Sequence, residues 1–309
     1  MATRIASDEA GQAVLLIFVD GIGLGPDSAT NPFADAPSPA LQGLLGGPLC
    51  LEQCQVGEQL VLRAIDATLG VEGLPQSATG QTTLFTGINA AQRLGRHVAA
   101  FPGPRLRSLI ESHGVLRRAQ QRGCRVVFAN AFSSEYFELL EQRRRRPSVT
   151  VLSAWSAELS LLGIDDLVEH RALSWDLCRD LLAPVLERPV PVIQASRAGE
   201  DLAGLASEHD LTVFETFLPD LAGHQRIEIG SREVVGRLDG LVAGLLRFLP
   251  DHITVVLTSD HGNFEEPWHK RHTRNPVPLL AFGPQAGRFG DIRCLTGIAP
   301  RILQTLGVP

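Results

Sequence analysis

Two kinds of apolar pattern alternate along the chain. Six short runs are nearly continuous in Val, Ile, Leu and Phe: residues 13–19, 125–129, 190–194, 211–217, 253–258 and 277–282. A strand with one wet face alternates in polarity, whereas a strand covered on both faces is apolar throughout. The runs therefore predict buried, mostly parallel strands. Between them, apolar residues recur at three- and four-residue spacing over 106–121 and 231–249, as amphipathic helices require. Ser231, followed by Glu233 and Val234, offers a helix start, and 298–306 predicts a closing helix ended by Gly307. Strand–helix alternation of this kind predicts an α/β protein with helices on both faces of its sheet. The stretch 92–205 breaks the rhythm with PGP at 102–104, RRRR at 143–146 and fewer strand-like runs. Within a single domain spanning 1–309, it reads either as a reduced cap or as additional core elements.

Bulk properties narrow the classes. A chain of 309 residues, 44% hydrophobic, can bury a full-sized core. A net charge of -6 argues against a nucleic-acid partner, whose footprint would be basic. The five cysteines (Cys50, Cys54, Cys124, Cys178, Cys294) are scattered and odd in number, which fits a reducing cytoplasm better than a disulfide framework. The opening MATRIASDEAGQ has no apolar h-region, and the run AVLLIFV is too short to span a bilayer, so we expect a cytoplasmic protein with no membrane partner.

Candidate chemistry collects at the ends of the predicted strands. Asp20 ends the first run and precedes GIGLGPDS, whose spacing and Pro26 do not suit a dinucleotide loop. Asp260 and His261 follow the strand at 253–258, with Gly262 allowing a close turn. Asp220 and His224 lie four apart after the strand at 211–217, so one helical turn puts both on one side. His272 precedes a loop stiffened by Asn275-Pro276 and Pro278, while His269 is a decoy on spacing alone. Ser77 precedes TGQTTLF, a sequence able to open a helix whose N-terminus would favour a phosphate. Singly, each has a plain structural reading, such as a helix cap or a turn. Jointly they supply three Asp, three His and one hydroxyl at one sheet edge, enough for a nitrogen-rich and an oxygen-rich divalent site. Two ions about 4 Å apart can clamp both oxygens of a phosphoryl displacement.

The motifs DGIG at 20–23, QSATGQ at 76–81, DLAGH at 220–224, SDHGN at 259–263 and HTRNPVP at 272–278 occur in this order. In that set the chain resembles the alkaline phosphatase superfamily, within it the metalloenzyme branch of cofactor-independent phosphoglycerate mutase and phosphopentomutase. The resemblance implies an alkaline-phosphatase-like three-layer α/β/α sandwich with a mostly parallel sheet and at most a small cap insertion. It implies one ion on Asp220, His224 and His272, and a second on Asp20, Asp260, His261 and the oxygen of Ser77. It also implies that Ser77 is the nucleophile, forming a phosphoserine. Mutase relatives imply Mn2+ and diesterase relatives Zn2+, with Mg2+ a third option.

The sequence also departs from these relatives. Gln81 stands where the mutases usually carry His, and their long substrate-binding cap is not recognisable, although PGPRLRSLI…GCRVVFANAFSSEYFELL is similar to a shortened phosphopentomutase cap. A mutase must shield its intermediate from water, so a reduced cap favours a phosphohydrolase on phosphate mono- or diesters. The alternatives are a phosphomutase on a small phosphorylated sugar or acid, and a non-catalytic metal-binding protein. Arg93, Arg96 and Arg105 are candidates for the substrate phosphate, whereas Arg143–Arg146 reads as an exposed loop.

Overall fold

The computed structural model describes residues 12–186 and 188–309. Its strands are β1 (Ala13–Val19), β2 (Gln55–Val56), β3 (Leu60–Ile65), β4 (Val126–Phe128), β5 (Ala131–Phe132), β6 (Leu162–Gly163), β7 (Leu211–Thr216), β8 (Ile253–Thr258) and β9 (Val277–Phe282). Seven of them form one sheet in the order β2-β3-β9-β8-β1-β7-β4, and β5 pairs with β6 in a separate small sheet. The ladders joining β4, β7, β1 and β8 are parallel, whereas β9, β3 and β2 add antiparallel pairs at one side.

The side chains of β1 show why its sequence is apolar throughout. Leu15, Ile17 and Val19 enter one core with the helices Pro39–Leu45, Ala195–Glu208 and Ser231–Phe248. Val14, Leu16 and Phe18 point the other way, into a second core with the helices Ser77–Thr86, Pro104–His113, Val149–Ser156 and Ile298–Thr305. Alternate residues of one strand thus fill two cores, and the architecture is a three-layer α/β/α sandwich.

The run at 190–194 is not a strand. Pro189 and Pro191 remove two ladder donors, and Val192 is exposed. The helix expected over 106–121 is two helices, Pro104–His113 and Val115–Gln121, meeting at Gly114. A Cβ on Gly114 would lie 2.6 Å from the carbonyl of Ile110, so the chain turns there where only glycine fits. Strand β3 was not expected: Arg63 interrupts its apolar run, and its burial is incomplete, as suits a strand near the antiparallel side.

The stretch 92–205 divides. The helices Pro104–His113, Val115–Gln121 and Val149–Ser156 and strand β4 belong to the second core, and Ala195–Glu208 to the first. Around β5, β6 and the helix Ile164–Val168 lies a satellite cluster of Ala131, Leu167, Ala172 and Val190. All five cysteines are free thiols. Among the described residues, no helix is long and apolar enough to cross a membrane.

Candidate metal centre

The C-terminal ends of β1, β7 and β8 converge, as parallel strands bring successive connections to one edge of a sheet. Pairing of Val19 with Thr216 sets Asp20 beside the turn into the helix Leu218–Gly223, which carries Asp220. Gly21 has φ +81°, and a Cβ there would lie 2.8 Å from the Cα of Asp220, so a side chain would push the two strand ends apart. Ser259 ties the third end in: its hydroxyl accepts from the Ile22 N–H at 3.0 Å and donates to the His261 carbonyl at 3.0 Å. The loop bearing His272 bridges back through the Thr273 N–H, which donates to the Gly262 carbonyl at 3.0 Å.

The seven residues singled out in the sequence are brought together. Asp220, His224 and His272 form one group, and Asp20, Asp260 and His261 another; within each, one ligand atom per residue lies within 4.8 Å of the others. Ser77 is the first residue of its helix, after Gln76 in extended conformation, and not its N-cap. Its Oγ stands 3.0 Å from His261 Nε2. The His261 and His272 rings stack with centroids 3.7 Å apart, so the two groups adjoin. His269 instead pairs with Glu266.

Both groups suit cations. Nδ1 of His224 lies 2.9 Å from the Lys270 carbonyl, and Nδ1 of His272 lies 2.8 Å from the Pro75 carbonyl. A carbonyl only accepts, so both Nδ1 atoms carry the proton, and in the neutral rings both Nε2 atoms are lone pairs. Those lone pairs face each other at 3.1 Å, with Asp220 Oδ1 at 3.3 Å from one and 3.8 Å from the other. Three acceptors around one point call for a cation. In the second group, the Oδ1 atoms of Asp20 and Asp260 are buried and meet no hydrogen-bond donor. An ion would satisfy both.

Electrostatics agree with this reading. Burial pushes Asp20 well above the usual carboxylate range, reinforced by the charge of Asp260, and burial raises Asp260 to about 7. Burial lowers His261 to about 4; burial and then the His261 ring lower His272 to about 4. Neutral imidazoles are the form that binds metal. Burial opposes ionisation of Asp220, but hydrogen bonding and charge from His224 and His261, with the Asn263 amide, outweigh it and hold the carboxyl at about 2. The same contact raises His224, so in ion-free protein its Nε2 proton bridges to Asp220, and a bound cation takes that proton's place.

The pH dependence follows. The folded pKa of Asp260 lies above its unfolded value of 3.8, so in ion-free protein its ionisation removes stability as pH rises from about 4 to about 7. A bound divalent ion reverses that penalty. An ion at a hundred times its Kd stabilises by about 2.7 kcal/mol, or roughly 4 °C in Tm for a chain of 309 residues. Thermal melts should show a larger ion-induced shift at pH 8 than at pH 6. An equal shift at both would refute the carboxylate site.

A cavity of about 780 Å³ opens over the groups, with Asp20, Ser77, Asp220, His224 and His272 in its wall. Arg145, Arg146 and Arg226 also line it, with Phe132 and Tyr136, and with Trp175 and Phe217 stacked at 4.5 Å. The expectation for Arg93, Arg96 and Arg105 is corrected. All three are exposed and none lines this cavity; Arg93 lies at a separate depression with Asn89 and Thr296. The run at 143–146 supplies the guanidinium groups instead, through Arg145 and Arg146.

Some residues of the site were not singled out. Asn263 donates to Asp220 Oδ1 at 3.1 Å. Glu265, buried, accepts from the Gly23 N–H at 2.9 Å, the Asn263 N–H at 2.8 Å, Asn275 Nδ2 at 3.0 Å and the Thr273 hydroxyl, joining three ligand loops. Asn263 ends the motif SDHGN and Glu265 lies two residues beyond it, and an acid beside a ligand loop was the available signal. Glu215 lines the cavity too, raised to about 7 by burial, with a hydrogen bond from Thr150 at 2.7 Å.

The fold and the donor sets define an α/β protein with two adjoining groups of metal-ligand residue types at one sheet edge. Residues 193–309 match the Metalloenzyme superfamily. A phosphopentomutase from Methylobacterium radiotolerans is 28% identical over 234 residues, covering 72% of this chain and 54% of the mutase. A 2,3-bisphosphoglycerate-independent phosphoglycerate mutase from Microcystis aeruginosa is 31% identical over 138 residues, covering 38% of this chain and 26% of that one. The chain thus spans between about a fifth and about half the length of the curated relatives it matches. In fold it is similar to an alkaline phosphatase from the Antarctic bacterium TAB5, with TM-score 0.51, 12% identity, and coverage of 97% of this chain and 100% of the other. Residues 193–309 thus carry a sequence likeness to the Metalloenzyme superfamily, and the chain as a whole has an alkaline-phosphatase-like fold.

Proposed function

We propose that this protein is a metal-dependent phosphoryl-transfer enzyme, and that it hydrolyses phosphate mono- or diesters through Ser77. The observation that carries the reading is the hydroxyl of Ser77, 3.0 Å from His261 Nε2 and in the wall of the cavity that both ligand groups share. In this reading Asp220, His224 and His272 hold one ion, and Asp20, Asp260, His261 and Ser77 hold the other. The nitrogen-rich group suits Zn2+, and the oxygen-rich group suits Mn2+ or Mg2+. When bound, the ions supply Lewis acidity at the phosphoryl group and the serine oxygen.

The chain's own groups do the rest. Ser77 begins a ten-residue helix, so the positive end of the helix dipole faces an incoming phosphate. Ser77 Oγ gives its proton to solvent in the open cavity and bonds to phosphorus as the P–O ester bond breaks, and the leaving alkoxide takes a proton from solvent. Water then takes the phosphoryl group and frees the serine. Arg145, Arg146 and Arg226 offer planar donors for anionic oxygens of the substrate. Residues around β5 and β6 act as a reduced cap over the cavity, which favours water as the acceptor.

Mono- and diesters, including sugar phosphates, incubated with Zn2+- or Mn2+-loaded protein test this. Release of inorganic phosphate, or of a monoester from a diester, is expected. Isomerisation of a sugar phosphate without phosphate release would replace hydrolysis by the mutase reading.

A further inference from the structure

The second ligand group contains a side chain that no ligand assignment uses. Gln81 is only 4% exposed and lies one helical turn after Ser77. Its Nε2 stands 3.1 Å from Asp20 Oδ2 and 3.1 Å from Asp260 Oδ2. An amide NH2 has two hydrogens, and here there is one for each carboxylate. Once both acids are ionised, as a bound cation requires, the reversed amide would set its oxygen against two carboxylate oxygens with no proton between them, so the donor orientation is the one a metal-loaded site dictates.

The consequence lies on the other side of each carboxylate. With Oδ2 held, Oδ1 of Asp20 and Oδ1 of Asp260 remain, both buried and both without a donor. Asp20 Oδ1 is 3.2 Å from His261 Nε2, the same nitrogen that lies 3.0 Å from Ser77 Oγ. One neutral side chain therefore separates two buried acids, satisfies half of each, and leaves the other half free. An imidazole at this position has at most one proton per ring nitrogen and cannot donate from one atom to both carboxylates.

We propose that Gln81 is a positioning residue for the second ion: its amide clamps one oxygen of Asp20 and one of Asp260, so that each presents a single free oxygen to the metal. The proposal rests on the two-ion reading above. Partners that orient metal ligands in this way typically contribute 10–100-fold in affinity.

The test reads metal binding by the full chain, not turnover. Ion content per chain after dialysis and Mn2+ and Zn2+ binding isotherms are compared for wild type, Gln81→Leu, Gln81→His and Gln81→Glu, with circular dichroism to establish folding. Wild type should bind two ions. Gln81→Leu should keep one at wild-type affinity and bind the other about 10–100-fold more weakly. Gln81→His, with a single donor, should fall between the two, and carries the test alone if the leucine variant does not fold. Wild-type affinity for both ions in Gln81→Leu or Gln81→His would overturn the role of Gln81 while leaving the two-ion reading intact. Equal or tighter binding of the second ion by Gln81→Glu would also overturn it, since the side chain would then be a ligand and not a clamp. A wild type that binds no second ion would overturn the two-ion reading itself, and the role of Gln81 with it.

Discussion

Ser77→Ala is expected to lower phosphoryl-transfer activity by at least about a thousandfold, the scale set by removal of a covalent nucleophile. The loss should fall on kcat, because both ligand groups and the cavity arginines remain to bind substrate. The hydroxyl makes one side-chain contact, with His261 Nε2 at 3.0 Å. Alanine is a strong helix former at this first helical position, so the variant should melt within a few degrees of wild type. Asp20, Asp260 and His261 still provide three protein ligands, and ion content after dialysis should stay close to two per chain. Steady-state kinetics on an activated phosphate ester, with metal analysis of the same samples, checks both halves. Full activity in Ser77→Ala would exclude a phosphoserine and leave water as the direct nucleophile.

The strand-end placement of the ligands was legible because each motif follows an apolar run, and a run such as 13–19 can be little else than a strand covered on both faces. Runs containing proline or arginine misled. VPVIQ at 190–194 is β-branched, yet its flanking and internal prolines leave too few donors for a ladder. LVLRAI at 60–65 carries an arginine, yet it pairs along its whole length with β9, where Arg63 reaches the Gly290 carbonyl at 2.8 Å. The cavity-lining arginines could not be ranked from sequence. Exposed arginines look alike along a chain, and only the packing of the helix Ser134–Glu141 beside the cavity separates Arg145 from Arg93. Glu265 and Gln81 were hidden for a related reason. Each acts on residues far away in sequence, and such convergence exists only once β1, β8 and the Ser77 helix are assembled.

Asp220→Ala is expected to strip one ion and nearly all activity. Asp220 is the only carboxylate of its group, and its Oδ1 accepts from Asn263 while facing both imidazole lone pairs. Its hydrogen-bonded surroundings hold it ionised far below neutral pH, so it supplies a full negative charge wherever the histidines are free to bind. Alanine leaves His224 and His272 with Nε2 atoms 3.1 Å apart and no anion to offset a bound dication. The affinity for that ion should fall by more than the roughly 10–100-fold typical of outer-shell partners. Activity should fall at least on the order of 10³-fold, the upper end for loss of one preorganised electrostatic contact. The second group shares no carboxylate with the first, so dialysed protein should retain about one ion per chain. High concentrations of Zn2+ should restore part of the activity, because the two imidazoles still converge. Unchanged ion content would mean that Asp220 orients the histidines without touching metal, and the first ion would then need another anionic ligand from the cavity wall. Two other acids of the cavity wall, Asp20 and Glu215, are driven toward their neutral forms by burial, whereas Asp220 stays ionised beside both imidazoles.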